Sequence, residues 1–461
     1  MEKRTVQGML PRIALGVLLL IIVWASGCDK RHREGSQGAD VYFTVDTVRF
    51  DTVMHSMVSS MRKVSLRNYG RREVCVANVR MEGERTSAFH VVVDGVQYEK
   101  FGGATIPAGD SVILILTMYT EEYVPDAFEQ LDARVVVEVG ERTVALPIRG
   151  WNAGWSEMEA VVAGNVVVPA GGIRYVPKGT EVQRGATLTL EAGSTLLFGN
   201  GAGLCVKGKL EARGDAQARV CFLPQRMEPY YMRKPGQWAG VMVEAGSEGL
   251  GLSHVDVRGA VTGVEIKGKT LGGQALQLEN CRVLYSSQDG LRLAGGSEAK
   301  VVGSILGQNY RHGISLEGAK AELIYCTVCA ESMPPQSRLG EGIWLDDGEG
   351  SCSLDMLNCI VWGDREEEVG VAGKKELGGR MGARGSVLRM SKDQLKNGTY
   401  FERCTGDDPK LEMREQGLYH LGEKSSARRW GVPLSEYAID LFGAPRAVDA
   451  PDAGAVSTVK P

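Results

Sequence analysis

Past one apolar run near its start, the sequence has no stretch long enough to cross a bilayer, so an inner-membrane channel or multi-span carrier is excluded. It lacks a basic surplus: 53 Lys and Arg stand against 57 Asp and Glu, a formal charge of −4, which leaves no electrostatic footprint for nucleic acid. Proline is modest at 16 and aromatics make up 7%, whereas glycine reaches 60, a balance that fits a turn-rich β protein and argues against disorder or collagen. Ten cysteines are present, and setting aside Cys28 leaves an odd nine (75, 205, 221, 281, 326, 329, 352, 359 and 404), so no complete intramolecular disulfide framework is possible. Cys326 and Cys329 form a CxxC, but no second pair accompanies it; a zinc ribbon is excluded and no metal site is expected. Most of these thiols instead occupy positions where a small apolar strand residue would sit.

The apolar run is IALGVLLLIIVWA (13–25), preceded by Lys3, Arg4 and Arg12 and followed by the small-residue box ASGC. A basic start, a short apolar core and small residues before a cysteine make a secretory signal. It resembles a bacterial lipoprotein signal in which Cys28 receives lipid. Residues 1–28 are therefore expected to be the signal, with lipidation at Cys28, and the polar stretch 29–40 a tether. The expected location is outside the cytoplasm, held by a lipid anchor on the outer membrane, with its periplasmic or surface face left open.

From 41 to 150 the chain alternates apolar and polar residues in short runs, as in KVSLRN (63–68), AFHVVV (88–93) and SVILILTM (111–118), with turns every ten residues or so. That period of two predicts a β-sandwich. After Trp151 the rhythm changes to strands of four or five residues with glycine corners. The phrase LSHVDV (252–257) returns as LENCRV (278–283), VVGSIL (301–306), LIYCTV (323–328) and MLNCIV (356–361). A second phrase runs GVEI (263–266), GLRL (290–293), GISL (313–316) and GIWL (342–345). Repeats in the twenties with no room for a helix predict a solenoid of stacked coils, each strand paired in parallel with its copy one coil on. Val255, Cys281, Ser304, Cys326 and Cys359 then share one inward file, where only small side chains fit. The leucine-rich alternative lacks its L-x-x-L-x-L register.

GATLTLEAGSTLLFGNGAGLCVKGKLEARG (185–214), GQWAGVMVEAG (236–246) and the coil phrases resemble the right-handed parallel β-helix (pectin-lyase-like) lipoproteins of Bacteroidetes. The terminal motifs DDPKL (407–411), AIDLFGAPR (438–446) and PDAGA (451–455) resemble the closing segment of such exported proteins. KVSLRNYG (63–70), IPAGDSVILIL (106–116) and VALPIRG (144–150) resemble immunoglobulin-like modules. The resemblance implies an all-β chain: an immunoglobulin-like sandwich (41–150), a right-handed parallel β-helix (151–445) with insertions at 226–238, 329–342 and 362–400, and a closing segment (446–461). It implies fold and anchoring, and carries little about activity.

Two places could hold chemistry. The residue before each glycine of the second phrase gives a file of Thr262, Asp289, His312 and Glu341, with Arg292 and Trp344 one strand position away. Two carboxylates flanking a histidine could act as acid and base, and Arg292 could neutralise a uronate, as in a polysaccharide lyase or glycoside hydrolase; Ca2+ is the cofactor such a lyase would add. Ordinary solvated corner residues would look the same. The other place is the insertion RMEPYYMRKPGQW (226–238), whose Tyr230, Tyr231, Arg233 and Trp238, with Trp344 as a further ligand-binding candidate, could stack on a glycan or meet an envelope protein. Trp238 could equally pack beneath its loop. The expectation is a non-catalytic binding module, with enzyme and plain spacer as alternatives.

Overall fold

A computed structural model describes residues 40–121, 128–332, 337–374, 377–415 and 418–458. Cys28 and the signal lie outside the described residues, as does nearly all of the tether. No helix among the described residues is long and apolar enough to cross a membrane.

The first hundred described residues form two five-stranded sheets. One is ordered Val41–Phe43, Arg62–Asn68, Ser111–Met118, Phe89–Val93, Val96–Gln97. The other is ordered Val48–Met54, Arg142–Ala153, Phe128–Val139, Val74–Glu82, Ala104–Ile106. Alternate residues of each strand face inward, so Val64, Leu66, Leu114, Leu116, Val135 and Leu146 meet in a core of their own. This is the β-sandwich that the period of two predicts.

From Ser156 the chain winds into coils. Three parallel sheets of ten, nine and ten strands run from Ser156–Glu157 to Val387–Leu388, from Val161–Val162 to Val369–Val371, and from Asn165–Val168 to Phe401–Glu402. Each coil donates one short strand to each sheet, and register is kept from coil to coil: Val264, Leu291, Ile314, Ile343 and Val369 pair in succession. The interior is one continuous core, including Val283, Leu306, Val328 and Val361 from the first sheet. The architecture is a parallel β-helix. Each fully buried Val, Leu or Ile contributes about 1.5–3 kcal/mol, and a lone coil would have nothing to bury them against.

The inward file stands as the repeat predicts. Val255, Cys281, Ser304, Cys326 and Cys359 are all fully buried, and the backbone of one rung bonds the side chain of the next, with Cys281 N donating to Ser304 Oγ at 2.9 Å and Cys326 N to Cys359 Sγ at 3.4 Å. Just before this file lies a column that the repeat does not advertise. His254, Asn280, Tyr325, Asn358 and Arg403 have φ between 50 and 56°, and Gly303 and Gly385 adopt 57 and 62°. One left-handed residue turns the chain from the third sheet into the first, and Asn and Gly tolerate it best. At Gly303 a Cβ would also sit 2.2 Å from Asn280 Oδ1, so an asparagine on one rung demands a glycine on the next.

Two covers close the outer face of the first sheet. At its start the sandwich packs Met54 and Ala153 against Ile173 and Leu197, while Trp155 Nε1 donates to the His55 carbonyl at 3.1 Å. Further along, the chain after Glu402 leaves the coil register, forms the hairpin Leu411–Glu415/Leu418–Leu421, and lays Tyr419, Leu441, Ala455 and Val456 on Leu284, Tyr285 and Ile305. The coils thus stop short of 445. Likewise the stretch 362–400, expected as an excursion, carries coil strands Val369–Val371, Met381–Arg384 and Val387–Leu388.

The closing motifs act structurally. Asp440 accepts from the backbone of Phe442, Ala444 and Ser457, all at 2.8–2.9 Å. Arg446 is buried, its guanidinium 3.9 Å from the Tyr325 ring centroid and donating to the carbonyls of Gly454 and Ala455 at 3.0 and 3.2 Å.

Candidate functional site

The file Asp289, His312 and Glu341 does stack on consecutive coils at the edge of the second sheet, where Gly290 N donates to the His312 carbonyl at 2.9 Å. Its side chains, however, take separate partners. Asp289 is not an outward-facing group: it is fully buried, and both carboxylate oxygens accept from Arg311, one of them at 2.8 Å from Nε. Glu341 pairs with Arg365 at 3.3 Å. Arg292 lies between Glu265 and Glu317, at 3.0 and 2.9 Å. A guanidinium bridging two carboxylates has little charge left to offer a uronate.

His312 is boxed in. Its Nδ1 lies 2.8 Å from the Glu341 carbonyl oxygen, an atom that can only accept, so the ring carries its proton there. Its face stacks on Trp344 at 5.6 Å between centroids, and Gly340 lies so close that a Cβ would come within 2.2 Å of the ring. Trp344 is closed on a further side by Gly370, where a Cβ would approach Cε3 to 2.8 Å, so the indole is not an open sugar platform. What remains between Arg292, Arg311, His312, Glu317, Trp344 and Asp346 is a hollow of about 130 Å³. Sites that enclose a drug-sized ligand occupy about 300–1,000 Å³. Larger hollows, of about 510 and 390 Å³, lie on the sandwich around Arg149 and His90.

Burial pulls the His312 pKa below its ordinary 6.5, against the opposing bond to Glu341. The folded protein therefore refuses a proton that the unfolded chain accepts. The stability this represents is present above pH 6.5 and is lost as pH falls toward the folded value. His254, lowered by burial and by Arg219, acts in the same direction. The melting temperature is expected to drop between pH 7 and 5, and His312→Gln, although less stable at pH 7, should show a shallower drop; equal slopes in the two proteins would refute the assignment.

The insertion 226–238 divides into a strut and an exposed tip. Arg226 and Glu228 reach the sandwich: Ser60 Oγ donates to Glu228 Oε1 at 3.0 Å, and Arg226 Nη2 to Ser60 Oγ at 3.1 Å. Tyr231 lies under the Arg226 guanidinium, 4.2 Å away. Tyr230 is 62% exposed, edge-on to Tyr231 at 5.2 Å, with Lys234 Nζ 4.5 Å from its ring centroid. Arg233 is exposed and donates to the Pro229 carbonyl at 3.3 Å. Trp238 is a core residue and not a ligand contact: it is fully buried, stacked on Phe198 at 4.0 Å and 7°, and its Nε1 donates to the Arg258 carbonyl at 2.7 Å. The apolar interior offers a flat ring more contact than a corner can.

The repeat gave no hint of a cluster at Arg219, Asp256, Arg258 and Arg282, although charged residues beside the inward file (HVDVR, NCRV) were its visible trace. Asp256 pairs with Arg219 at 2.7 Å and with Arg282 at 2.6 Å. Burial opposes ionisation of Asp256, yet Arg282 and Arg219 outweigh it and hold the carboxyl below its usual range. No group of three or more potential metal ligands occurs among the described residues.

The two units define a β-helix protein carrying an N-terminal β-sandwich. No family model matches the sequence, and no curated protein matches it. Among solved structures, similarity is found to the ASH/PapD-like domain of human CEP192, at 11% identity over 28% of this chain and 98% of that one, with a TM-score of 0.19. The E. coli chaperone DraB matches at 13% identity over 25% of this chain and 55% of its own, with a TM-score of 0.18. A family 123 glycoside hydrolase from Clostridium perfringens matches at 6% identity over 28% of this chain and 26% of its own, with a TM-score of 0.20. Likenesses this slight carry no functional argument.

Proposed function

We propose that this chain is an exported, lipid-anchored binding module of the cell envelope, held through Cys28, with an immunoglobulin-like domain carrying a right-handed β-helix that engages a glycan by the tip of the 226–238 insertion. The observation that supports the reading is the contrast between two places. The carboxylates of the 289/312/341 file are spent on Arg311 and Arg365, while Tyr230, flanked by Tyr231 and Lys234, stands 62% exposed on a loop braced at both ends. An exposed aromatic on a rigid mount stacks on a sugar ring with little ordering cost.

The purified protein, passed over immobilised glycans with and without Ca2+, is expected to be retained and to release no product. Tyr230→Ala should weaken retention by roughly tenfold, the effect of removing one stacking contact of about 1–1.5 kcal/mol. Appearance of new reducing ends or unsaturated sugars, abolished by His312→Ala, would establish the lyase or hydrolase reading instead. Absence of both retention and product would leave a spacer.

A further inference from the structure

The two outer faces of the sandwich carry different kinds of surface. On the sheet that contains Phe128–Val139, charges cancel across neighbouring strands: Arg149 pairs with Asp132, Arg134 with Glu82, and Arg80 with Glu82 and Glu138. The sheet that contains Arg62–Asn68 differs. Val64, Leu66, Leu114 and Leu116 point into the core, so the alternation leaves Lys63, Arg67, Ile113 and Ile115 outside. Register sets Tyr42 beside Arg67, Lys63 beside Ile115, and Ile115 beside Val92. No outward position on these strands is Asp or Glu; Asp40, Asp94, Asp110 and Glu121 stand beyond the strand ends.

Tyr42, Tyr69 and Ile115 are exposed, as is Met61 just before the strand. The two tyrosine rings lie 6.4 Å apart, and the Arg67 guanidinium sits 5.1 Å from the Tyr69 centroid. Lys63 and Arg67 have no ion-pair partner among the described residues. An exposed apolar face set with cations and free of anions marks a surface that something covers. Tyrosine, with an apolar ring and a polar tip, suits a membrane–water interface, and Lys and Arg are drawn to anionic headgroups. Position selects the same occupant. Val41 opens the edge strand of this sheet, and the twelve residues 29–40 separate it from Cys28, a reach of about 40 Å at full stretch. Tyr69 lies roughly 23 Å along the strand from Arg62, whereas the β-helix is joined beyond the other end, where Ser60 bonds Glu228 and Arg226. The tyrosines and the root of the tether thus share the end of the strand away from the solenoid.

We propose that this outer face of the sandwich, presenting Tyr42, Tyr69, Lys63 and Arg67, docks on an anionic membrane surface and so lays the sandwich against the lipid while the β-helix stands away from it. The nearness of a membrane rests on the lipid-anchored reading, whereas recognition of the headgroups needs no acyl chain.

The test is co-sedimentation of the unlipidated exported chain, residues 29–461, with vesicles of phosphatidylglycerol and phosphatidylcholine in equal parts, against phosphatidylcholine alone. Partition onto the anionic vesicles is expected to be about tenfold higher and to fall as sodium chloride is raised. Arg67→Glu should lower it by roughly fivefold or more, and Tyr69→Ser should lower it too, both with the melting temperature kept, since the positions are exposed. Lys63→Glu gives a second reading of the same charge effect. Arg49→Glu makes the same charge change on the outward face of the other sheet and should leave partition within about twofold. Equal partition onto both kinds of vesicle overturns the proposal, as does an equal loss in Arg67→Glu and Arg49→Glu, which would reflect net charge alone. A dimer in solution that Tyr69→Ser dissolves, with no vesicle binding, overturns it in favour of a second copy on this face. Mass spectrometry of the chain expressed with its signal reads the anchor separately. An acyl group on Cys28 with no headgroup preference keeps the anchor and removes the docking face; headgroup preference without the acyl group keeps the face and removes the anchor.

Discussion

Replacing Arg446 with alanine is expected to destabilise the β-helix by about 3 kcal/mol or more, although the residue lies outside every coil. Its guanidinium packs on the Tyr325 ring and satisfies the carbonyls of Gly454 and Ala455, and beneath it the segment bonds back to the coils: Ala455 N donates to Thr327 Oγ1 at 3.0 Å and Gly454 N to the Asn358 carbonyl at 2.8 Å. Truncation takes the guanidinium from the Gly454 carbonyl, leaves the Ala455 carbonyl with Leu441 N alone at 3.1 Å, and leaves the ring without its cation. The loosened segment would uncover Leu284, Tyr285, Ile305 and Ile360, an apolar strip on the outer face of the first sheet. Gly454→Val should act the same way by a different route. Gly454 has φ of 95°, and a Cβ would sit 2.7 Å from Ile360 Cδ1 and 2.8 Å from Thr327 Oγ1. Urea titration with an apolar dye reads both effects. A variant that keeps its midpoint and binds no dye would show that the closing segment is ornamental.

The second large effect concerns Trp238. Trp238→Ala is expected to cost about 3–5 kcal/mol, the range for deleting a fully buried aromatic, with a further loss because the Arg258 carbonyl is orphaned. Tyr230→Ala, eight positions away on the same insertion, should leave the melting temperature nearly unchanged and reduce glycan retention. The pair separates fold from function within one loop. If Trp238→Ala melts like the wild type but loses retention, the indole is a ligand contact and the packing assignment fails.

The coil stack and the inward file of Val255, Cys281, Ser304, Cys326 and Cys359 were legible before any coordinates, because a solenoid repeats its own sequence wherever it repeats its own packing. The left-handed column was half legible: Asn280, Gly303, Asn358 and Gly385 are residues suited to it, but His254, Tyr325 and Arg403 gave no sign. The candidate site fared differently. The file of Asp289, His312 and Glu341 was read correctly as a file, yet Asp289 meets Arg311 and Glu341 meets Arg365, residues set by how each corner turns. Trp238 had two readings, a ligand contact or a residue packed beneath its loop, and only its place against Phe198 shows which it is.

From the sequence alone came the period of the coils, the faces of their strands, the small file within and the sandwich before it, since each is a local pattern that burial imposes on neighbouring residues. Which charge meets which partner was decided by the tertiary structure. Arg446 on Tyr325 and Arg219 on Asn280 join residues more than sixty positions apart, and electrostatic pairing at such separations leaves no periodic trace in a chain.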